Sequence, residues 1–295
     1  MDLVILSRSP ALYSTRRLGL AAMARGHNVR VFDPLRCSLV FGCGAATIFV
    51  RGEAIASVDA VISRTTPAST WHAIAVLRQF ELAGAYCLNR SEPVARARDK
   101  LQTLQLLASQ GVRVAPTALA SHPDDVRHVI EQLGGPPTVV KFSQGSQGAG
   151  VMLAESAASA ASVIDALVVA RRNLLVQQFI PHEGDARLFV VGSKVVAAIR
   201  RRARDGDFRA NLHQGGAAEA LDPTQEQSDA ALVAARALGL ELAGVDMLDG
   251  PAGPLVVEVN ASPGLEGIEA ASGRNIASTI IRFLETRVRR PVPTS

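Results

Sequence analysis

The amino-acid sequence predicts an α/β N-terminal domain followed by an α+β region that is built on antiparallel strands. At the N-terminal end, short apolar runs alternate with helical stretches, which is typical of parallel strands joined by right-handed crossovers. Farther along, Gly192-Ser193 separates two apolar runs and predicts the tight turn of a β-hairpin. The 295 residues are 48% hydrophobic and 20% charged, a composition typical of a globular protein with a sizeable core.

The N-terminal elements follow from apolar periodicity and from turn residues. The helix that begins near Tyr13 is expected to end before Gly26, because glycine adopts the left-handed conformation that closes helices. The next strand ends at Asp33-Pro34, a dipeptide that turns the chain. In order, we expect strand 2–7, helix 13–25, strand 28–33, strand 60–64, helix 68–83 and strand 86–88.

A long helix is predicted to open the second part of the chain. Ser91 is suited to the N-cap, Pro93 to the first turn and Gly111 to the C-terminal end of this helix. The elements expected after it are strand 115–120, helix 123–133, strands 138–142 and 174–180, the hairpin, helix 224–237, strand 253–260 and helix 272–288.

Several classes of protein are disfavoured by the composition. No apolar stretch is long enough to predict a transmembrane helix, and the first residues predict a β-strand rather than a signal peptide. Cys37, Cys43 and Cys87 lack zinc-site spacing, and so sparse a set suits the reduced thiols of a cytosol. There is no local signature of a covalent catalyst. We therefore expect a cytoplasmic protein whose chemistry depends on positioning and charge.

A glycine-rich loop lies between two predicted strands. It follows Lys141 and contains Gly145, Gly148 and Gly150, and glycines there allow backbone N–H groups to approach phosphate oxygens. The loop is not a Walker A motif, because no Gly-Lys-Ser/Thr follows. Two interpretations stay open, a flap that closes over nucleotide phosphates and an ordinary flexible hairpin.

Acidic and amide side chains recur near the C-terminal end. Glu258 and Asn260 are expected on the same face of strand 253–260, since side chains alternate along a strand. Asp246 can join them if its own strand pairs with this one. Hard oxygen ligands beside phosphates suit Mg²⁺, and the alternative is a polar face that meets solvent.

Cationic residues supply possible phosphate contacts. Lys141 lies inside the apolar run TVVKF, where a buried ammonium group needs an anionic partner. The net charge is +4, and five arginines are concentrated between Arg200 and Arg209. This run suits phosphates, an acidic peptide or nucleic acid, and it equally fits a solvated strand end.

Taken in order, these motifs resemble those of the ATP-grasp ligases, and specifically the RimK group of α-L-glutamate ligases. The resemblance is carried by ILSR near the N-terminus and by RARDKLQTLQLLA, KFSQGSQGAGV, DFRANLHQGG and VEVNASPGLEGIE, and it covers nearly the whole chain. It implies a pre-ATP-grasp domain over residues 1–95, two ATP-grasp subdomains over 96–182 and 183–290 that enclose ATP, and a mobile tail over 291–295.

The resemblance also implies a nucleotide site. Lys100 and Lys141 would contact phosphates beneath the glycine loop, and the segment that contains Gln178 and Phe179 would contact adenine. The ribose would lie near Asp185. The residues implied at the nucleotide or the reacting phosphoryl group are Arg187, Arg209 and Asn211.

The resemblance implies a metal site and a reaction as well. The implied ligands of Mg²⁺ or Mn²⁺, with two ions expected, are Asp246, Glu258 and Asn260. An acceptor carboxylate would attack ATP to give an acyl phosphate, and the amine of L-glutamate would then displace phosphate. Arg202 or Arg209 is assigned to the oxyanion. The implied acceptor is the acidic C-terminal tail of a small-subunit ribosomal protein, and the implied assembly is a homo-tetramer.

The sequence departs from the pattern of the family near the acceptor surface and the adenine. Gln178 replaces a carboxylate, Arg200 stands where an acid is usual and Gln214 where a base is usual. The segment before Asp185 is short. These departures bear on the identity of the acceptor, so a RimK-like ligase for a free metabolite or another carrier protein stays an alternative. A non-catalytic nucleotide- or RNA-binding protein is a further alternative, although aromatic residues are only 4% of the chain and no membrane or direct nucleic-acid partner is expected.

Overall fold

The computed structural model describes residues 1–42, 45–64, 70–120, 125–142, 151–168, 174–202 and 217–288. The helices in these ranges are α1 (Tyr13–Met23), α2 (Thr70–Leu82), α3 (Ser91–Arg98), α4 (Lys100–Ser109), α5 (Val126–Gln132), α6 (Ala157–Val168), α7 (Gln225–Leu238), α8 (Glu266–Ser272) and α9 (Ile276–Arg287). The strands are β1 (Asp2–Leu6), β2 (Asn28–Phe32), β3 (Cys37–Gly42), β4 (Ala45–Val50), β5 (Glu53–Ala54), β6 (Ala60–Ser63), β7 (Tyr86–Leu88), β8 (Thr117–Ala120), β9 (Thr138–Phe142), β10 (Val151–Ala154), β11 (Leu174–Gln178), β12 (Gly184–Val191), β13 (Lys194–Arg202), β14 (Ala217–Ala220), β15 (Leu242–Gly250) and β16 (Gly253–Asn260).

The N-terminal domain contains the parallel sheet that the sequence predicts. Its strands lie in the order β2-β1-β6-β7, and every neighbouring pair is parallel. Alternate residues of β1 enter different hydrophobic cores, with Leu3 and Ile5 on one face and Val4 and Leu6 on the other. This strand is therefore covered on both faces, as is usual for parallel sheets.

Between β2 and β6 the chain forms an antiparallel sheet, β3-β4-β5, that the sequence analysis did not predict. β3 and β4 pair from Cys37 opposite Val50 onwards. β4 turns into β5 through Arg51 and Gly52, whose φ angles are 52° and 88°. Positive φ at both central residues is typical of a two-residue hairpin turn, so the glycine in this turn is the signal that could have revealed the sheet.

The prediction of one helix from Ser91 to Gly111 is wrong, because the chain breaks it at Asp99. Asp99 adopts an extended conformation, with φ −95° and ψ 106°, and its side chain accepts a hydrogen bond from the backbone N–H of Gln102. A new helix, α4, therefore begins at Lys100. The predicted N-cap also moves by one residue, since Arg90 precedes α3 and Ser91 is its first residue.

Two antiparallel sheets follow, which confirms the α+β prediction for this region. The first has the strand order β10-β9-β11-β8, and α5 and α6 pack with it in one core. The second has the order β14-β13-β12-β15-β16, and it includes the predicted hairpin, in which β12 turns into β13 at Gly192. The helix predicted over 272–288 is α9, which begins at Ile276, and the short α8 before it, which Gly273 ends in the left-handed conformation, was not predicted. Across the described ranges, none of the helices has the length and apolar character needed to cross a membrane.

Candidate active site

The candidate site is built on β15 and β16, which pair as the metal interpretation requires. Asp246 lies directly opposite Glu258, and Gly244 lies opposite Asn260. A bulge after Asp246 sets Met247 opposite Val256, so that Val257 is the additional residue of β16. Opposite residues of an antiparallel pair share a face, so the strand pairing brings all three predicted ligands to one face of the sheet.

Asp246 is buried, with 3% of its surface exposed, and two arginines hold it. Arg187 is its neighbour on β12 and donates from Nε and Nη2 to the two carboxylate oxygens, each at 2.6 Å. The Nη2 atom of Arg201 lies 3.0 Å from Asp246 Oδ2. Burial alone would raise the pKa of Asp246, but Arg187 and Arg201 outweigh it and lower the pKa. Asp246 is therefore a carboxylate held in its charged form by cations.

Asp185 and Arg201 are cross-strand neighbours on β12 and β13. Arg201 is only 3% exposed and donates from Nε and Nη2 to both oxygens of Asp185. Burial raises the pKa of Asp185 to about 6, even though Arg201 acts in the opposite direction. Burial would lower the pKa of Arg201, and its two carboxylate partners raise it instead. Both carboxylate oxygens of Asp185, the residue expected near the ribose, are therefore engaged in an ion pair with Arg201.

Glu258 on β16 lies near two lysines, Lys100 on α4 and Lys141 on β9 of the other antiparallel sheet. Its Oε1 atom is 3.5 Å from Nζ of Lys100, the first residue of α4. Lys141 on β9 is 7% exposed, and burial lowers its pKa to about 8, while the charge of Glu258 opposes that shift. The side chain of Gln177 accepts a hydrogen bond from Lys141 Nζ at 3.1 Å and orients it. The predicted phosphate-binding lysines and the predicted metal ligands are therefore brought together where the two antiparallel sheets meet.

The sequence analysis missed three residues of this site. The sequence analysis predicted a role for Arg202 and none for Arg201. Side chains alternate along a strand, so these two neighbours lie on opposite faces of the sheet. Gln177 precedes Gln178 in the segment expected to contact adenine, and no role was predicted for its side chain. Arg98 lies at the end of α3, where burial lowers its pKa and the charge of Glu258 opposes the shift. The motif RARDK could have revealed Arg98, because an arginine two residues before Lys100 adds positive charge to the same group.

The other predicted residues have different partners. Arg202 is 58% exposed at its side chain, and its Nη2 atom is 3.2 Å from Glu219 Oε1. In the segment expected to contact adenine, the backbone N–H of Gln178 donates to Pro116 O at 2.8 Å and that of Phe179 to Pro137 O at 3.3 Å. Five of the predicted positions lie outside the described residues, namely Gly145, Gly148, Gly150, Arg209 and Asn211.

The donor set at β15 and β16 fits a divalent cation that also binds phosphate. The described residues contain no cluster of three His, Cys, Asp or Glu side chains, so the group consists of two carboxylates and an amide. Magnesium is usually bound by one or two carboxylates together with substrate phosphates. Asn260 is suited to such a shared site, since its Oδ1 atom can bind the cation, while its buried Nδ2 atom, which has no hydrogen-bond partner in the described part of the chain, can donate to a phosphate oxygen.

Comparisons with protein families identify the family of the chain. A model described as the RimK pre-ATP-grasp domain matches residues 1–94, and a model described as the RimK-like ATP-grasp domain matches residues 97–284. The chain belongs to the RimK family of ATP-grasp ligases. It is thus an ATP-dependent ligase, and the predicted ATP-grasp fold is confirmed.

Curated relatives cover the RimK-family chain almost completely. A protein of Sodalis glossinidius described as a probable alpha-L-glutamate ligase is 51% identical over 290 residues, which are 98% of each chain. A probable alpha-L-glutamate ligase 1 of Hahella chejuensis is 48% identical over 100% of this chain and 98% of its own.

Solved structures of ATP-grasp ligases have the same fold. The ligase PsnB in complex with a minimal precursor matches with a TM-score of 0.77 and 26% identity, over 97% of this chain and 99% of PsnB. PsnB was also solved with a phosphomimetic precursor variant, Mg and ADP, and that structure matches with a TM-score of 0.78 and 25% identity, over 97% of this chain and 98% of PsnB.

Proposed function

We propose that this ligase adds L-glutamate to the C-terminus of a small-subunit ribosomal protein in the cytoplasm, with ATP and two Mg²⁺ or Mn²⁺ ions. The observation that carries the proposal is the pairing of Asp246 with Glu258 inside a group of cations. The description of the curated relatives as probable alpha-L-glutamate ligases supports glutamate as the amine.

The charge of the site favours a polyanion. The cationic side chains are Arg98, Lys100, Lys141, Arg187 and Arg201, and the carboxylates among them are Asp185, Asp246 and Glu258. Cations are in excess, and several are buried, where unbalanced charge is costly. A triphosphate supplies the missing negative charge, and charge-assisted hydrogen bonds to phosphate are strong.

The ion pairs of the site suggest an exchange of partners when nucleotide binds. Asp246, Glu258 and Asn260 would hold the divalent cation, which would neutralise charge on the phosphate oxygens. Arg187 and Lys100, which hold Asp246 and Glu258 in this structure, would then turn to phosphate. Lys141 is oriented by Gln177 and would keep its position throughout.

The proposed reaction has two steps. A carboxylate oxygen of the acceptor attacks the γ-phosphorus of ATP, the bond to the bridging oxygen breaks, and ADP leaves. The amine of glutamate then attacks the acyl carbon and loses a proton, and phosphate departs with the bonding electron pair. The cations lower the barrier by stabilising the charge that develops on phosphoryl and acyl oxygens. We assign the oxyanion to Arg202 or Arg209, and for Arg202 the exposed ion pair with Glu219 would have to open.

A peptide acceptor is supported by two observations. The structural neighbour PsnB was solved with its precursor. In this chain, Arg200 and Arg202 lie at the end of β13, pair with Asp249 and Glu219 at the surface, and offer positive charge to an acidic tail. A homo-tetramer is proposed from the family resemblance, and exposed apolar residues on α2 and β3 such as Trp71 and Phe41, 82% and 69% exposed, suit subunit contacts.

The first experiment is a ligation assay on purified small ribosomal subunits. The protein is incubated with ATP, Mg²⁺ and L-glutamate, ADP is measured, and the ribosomal proteins are weighed by intact mass spectrometry. We expect ADP release and a ladder of glutamyl increments on one protein. ADP release without a ladder would reject the ribosomal acceptor and leave a ligase for another carrier or a metabolite. Absence of both, from a folded sample, would reject glutamate ligation.

Glu258→Gln tests the metal assignment in the same assay. Removing one of the two carboxylates is expected to abolish turnover, because the amide is a weaker ligand for a hard cation. Glu226→Gln is the matched control, since Glu226 is exposed on α7, where its Oε1 atom lies 3.9 Å from Nη1 of Arg113. The control should keep wild-type activity, and both variants should keep the wild-type circular dichroism spectrum. Wild-type turnover of Glu258→Gln would refute the assignment.

A further inference from the structure

The reaction proposed above leaves one charged part of the molecule unused, at the carboxyl ends of β1 and β6. From β1 the chain crosses to β2 on one side of the sheet, and it later enters β6 on the other side. The connections therefore diverge between β1 and β6, and this is the topological switch point of the sheet. In open α/β sheets, ligands bind outside the carboxyl ends of the strands at such a point.

Residues 261–265, which follow the candidate metal ligand Asn260, lie against this switch point. The Ser262 hydroxyl donates to Ser63 O at 3.0 Å, and Nη1 of Arg64 donates to Pro263 O at 2.7 Å. The backbone N–H of Leu265 donates to Ser14 Oγ at 3.0 Å. These contacts fix the N-terminal domain beside the strand that carries Glu258 and Asn260, so a group bound at Arg64 lies next to the candidate active site.

Arg64 has the properties expected of an anion-binding residue. Its surface is partly accessible to solvent, yet protein surrounds it so closely that burial lowers its pKa to about 10. The second cause of that shift is the positive charge of Arg98. Within the described ranges no carboxylate pairs with Arg64, and the hydrogen-bond partner of its guanidinium is the neutral carbonyl of Pro263. A guanidinium group that is enclosed in this way, with another positive charge near it, is stabilised by a bound anion.

A hydrogen-bond donor is also available at this strand end. Ser63, which is 1% exposed, has a buried hydroxyl that makes no hydrogen bond to the rest of the described chain. Arginine binds carboxylates through two parallel N–H groups, and a neighbouring hydroxyl can complete the set.

We infer that Arg64 holds a carboxylate of one of the two organic substrates, either free glutamate or the acceptor. The inference rests on the proposed function for the identity of these substrates. It is distinct from the phosphate contacts, since Arg64 lies on the N-terminal domain, and Lys100, Lys141 and Arg187 lie in the two ATP-grasp subdomains implied by the resemblance.

Steady-state kinetics of ADP release test the inference in Arg64→Gln. Because a charge-assisted hydrogen bond contributes about 1.5–3 kcal/mol, the KM of one carboxylate substrate is expected to rise roughly 10- to 100-fold. The KM of ATP should stay within about threefold, since its phosphates bind elsewhere. Arg96→Gln is the control for the loss of an arginine, because Arg96 lies on α3 and pairs with Glu92 at the surface. It should leave all three KM values unchanged.

The KM value that rises identifies the substrate whose carboxylate binds at Arg64. A rise for L-glutamate alone assigns the subsite to the amino acid, and a rise for the acceptor alone assigns it to the acceptor. Unchanged values for both, a rise for ATP instead, or a loss of kcat alone would overturn the inference. If Arg64→Gln does not fold, Arg64→Lys retains the charge without the bidentate geometry and should show a smaller rise. A folded Arg64→Lys with wild-type KM values would also overturn it.

Binding measurements separate this inference from the proposed function. If wild-type protein releases no ADP with any acceptor, the proposed function fails, and calorimetry then decides the subsite alone. L-glutamate, a peptide ending in glutamate and the same peptide with an amidated C-terminus are titrated into wild type and Arg64→Gln with Mg²⁺ and a non-hydrolysable ATP analogue. Binding to wild type that is lost in Arg64→Gln supports the subsite. Equal binding to both proteins, or binding to neither, overturns it.

Discussion

Replacing Arg201 by methionine removes the charge of a buried arginine and keeps much of its volume. Arg201 donates to both oxygens of Asp185, and its Nη2 atom also lies 3.0 Å from Asp246. Asp246 would keep both contacts from Arg187, but Asp185 would lose its hydrogen bonds from Arg201. The change therefore isolates Asp185.

The expected cost follows from burial. Removing one partner of a buried ion pair usually costs about 3–5 kcal/mol, because the other charge is left uncompensated. The lower end is expected here, since Arg187 still holds Asp246 and Asp185 can take up a proton. We therefore expect Arg201→Met to lower the free energy of unfolding by about 3 kcal/mol.

A double-mutant cycle measures the part of this free energy that comes from the interaction between Arg201 and Asp185. Urea unfolding is followed by far-UV circular dichroism for wild type, Arg201→Met, Asp185→Asn and the double variant. Because the two side chains are in direct contact, an interaction free energy of about 1.5–3 kcal/mol is expected. Arg202→Met is the control on the same strand, and it should cost less than about 1 kcal/mol because its ion pair with Glu219 is exposed.

Two results would refute this reasoning. One is additivity of Arg201→Met and Asp185→Asn within about 0.5 kcal/mol, which would mean that the ion pair is not coupled. The other is a similar cost for Arg201→Met and Arg202→Met, which would mean that burial does not distinguish neighbouring arginines of β13.

Three further predictions concern stability, and urea unfolding measures each of them. Gly184→Ala is expected to cost at least about 2 kcal/mol, because an added Cβ would lie 2.0 Å from the backbone oxygen of Arg201, and a wild-type midpoint would contradict this. Burial alone would raise the pKa of Glu269, but Arg17 and other hydrogen-bond donors lower it. Its stabilisation is therefore present above its ordinary pKa near 4.5 and is lost as the pH falls through the lowered value, so Glu269→Gln should be destabilising at pH 7 and nearly neutral at low pH. A cost independent of pH would argue against that linkage. Thr224→Ala removes the capping box of α7 and should cost about 1 kcal/mol, whereas Thr224→Ser should restore most of it.

Much of the fold could be predicted from local sequence patterns. Apolar alternation and turn glycines predicted the parallel sheet, the hairpin at Gly192 and β16 over residues 253–260. The break between α3 and α4 was missed, because Asp99 caps a helix only once the preceding turn has ended, and the helical periodicity continues across it. The sheet β3-β4-β5 was missed, although Gly52 in the turn between β4 and β5 was a local signal of a hairpin. The domain boundaries and the roles of the site residues stay predictions.

What the sequence alone determined is the set of side chains that share a face within one strand. Glu258 and Asn260 fall together because they are two residues apart, and this follows from backbone geometry alone. The tertiary structure decided which strand lies beside them, with Asp246 opposite Glu258, and which arginine enters the site, with Arg201 inside and Arg202 exposed. It also placed Arg64 beside the loop that follows Asn260. These arrangements join residues that are far apart in the chain, and their register is set by packing and pairing of whole sheets, which no local spacing encodes.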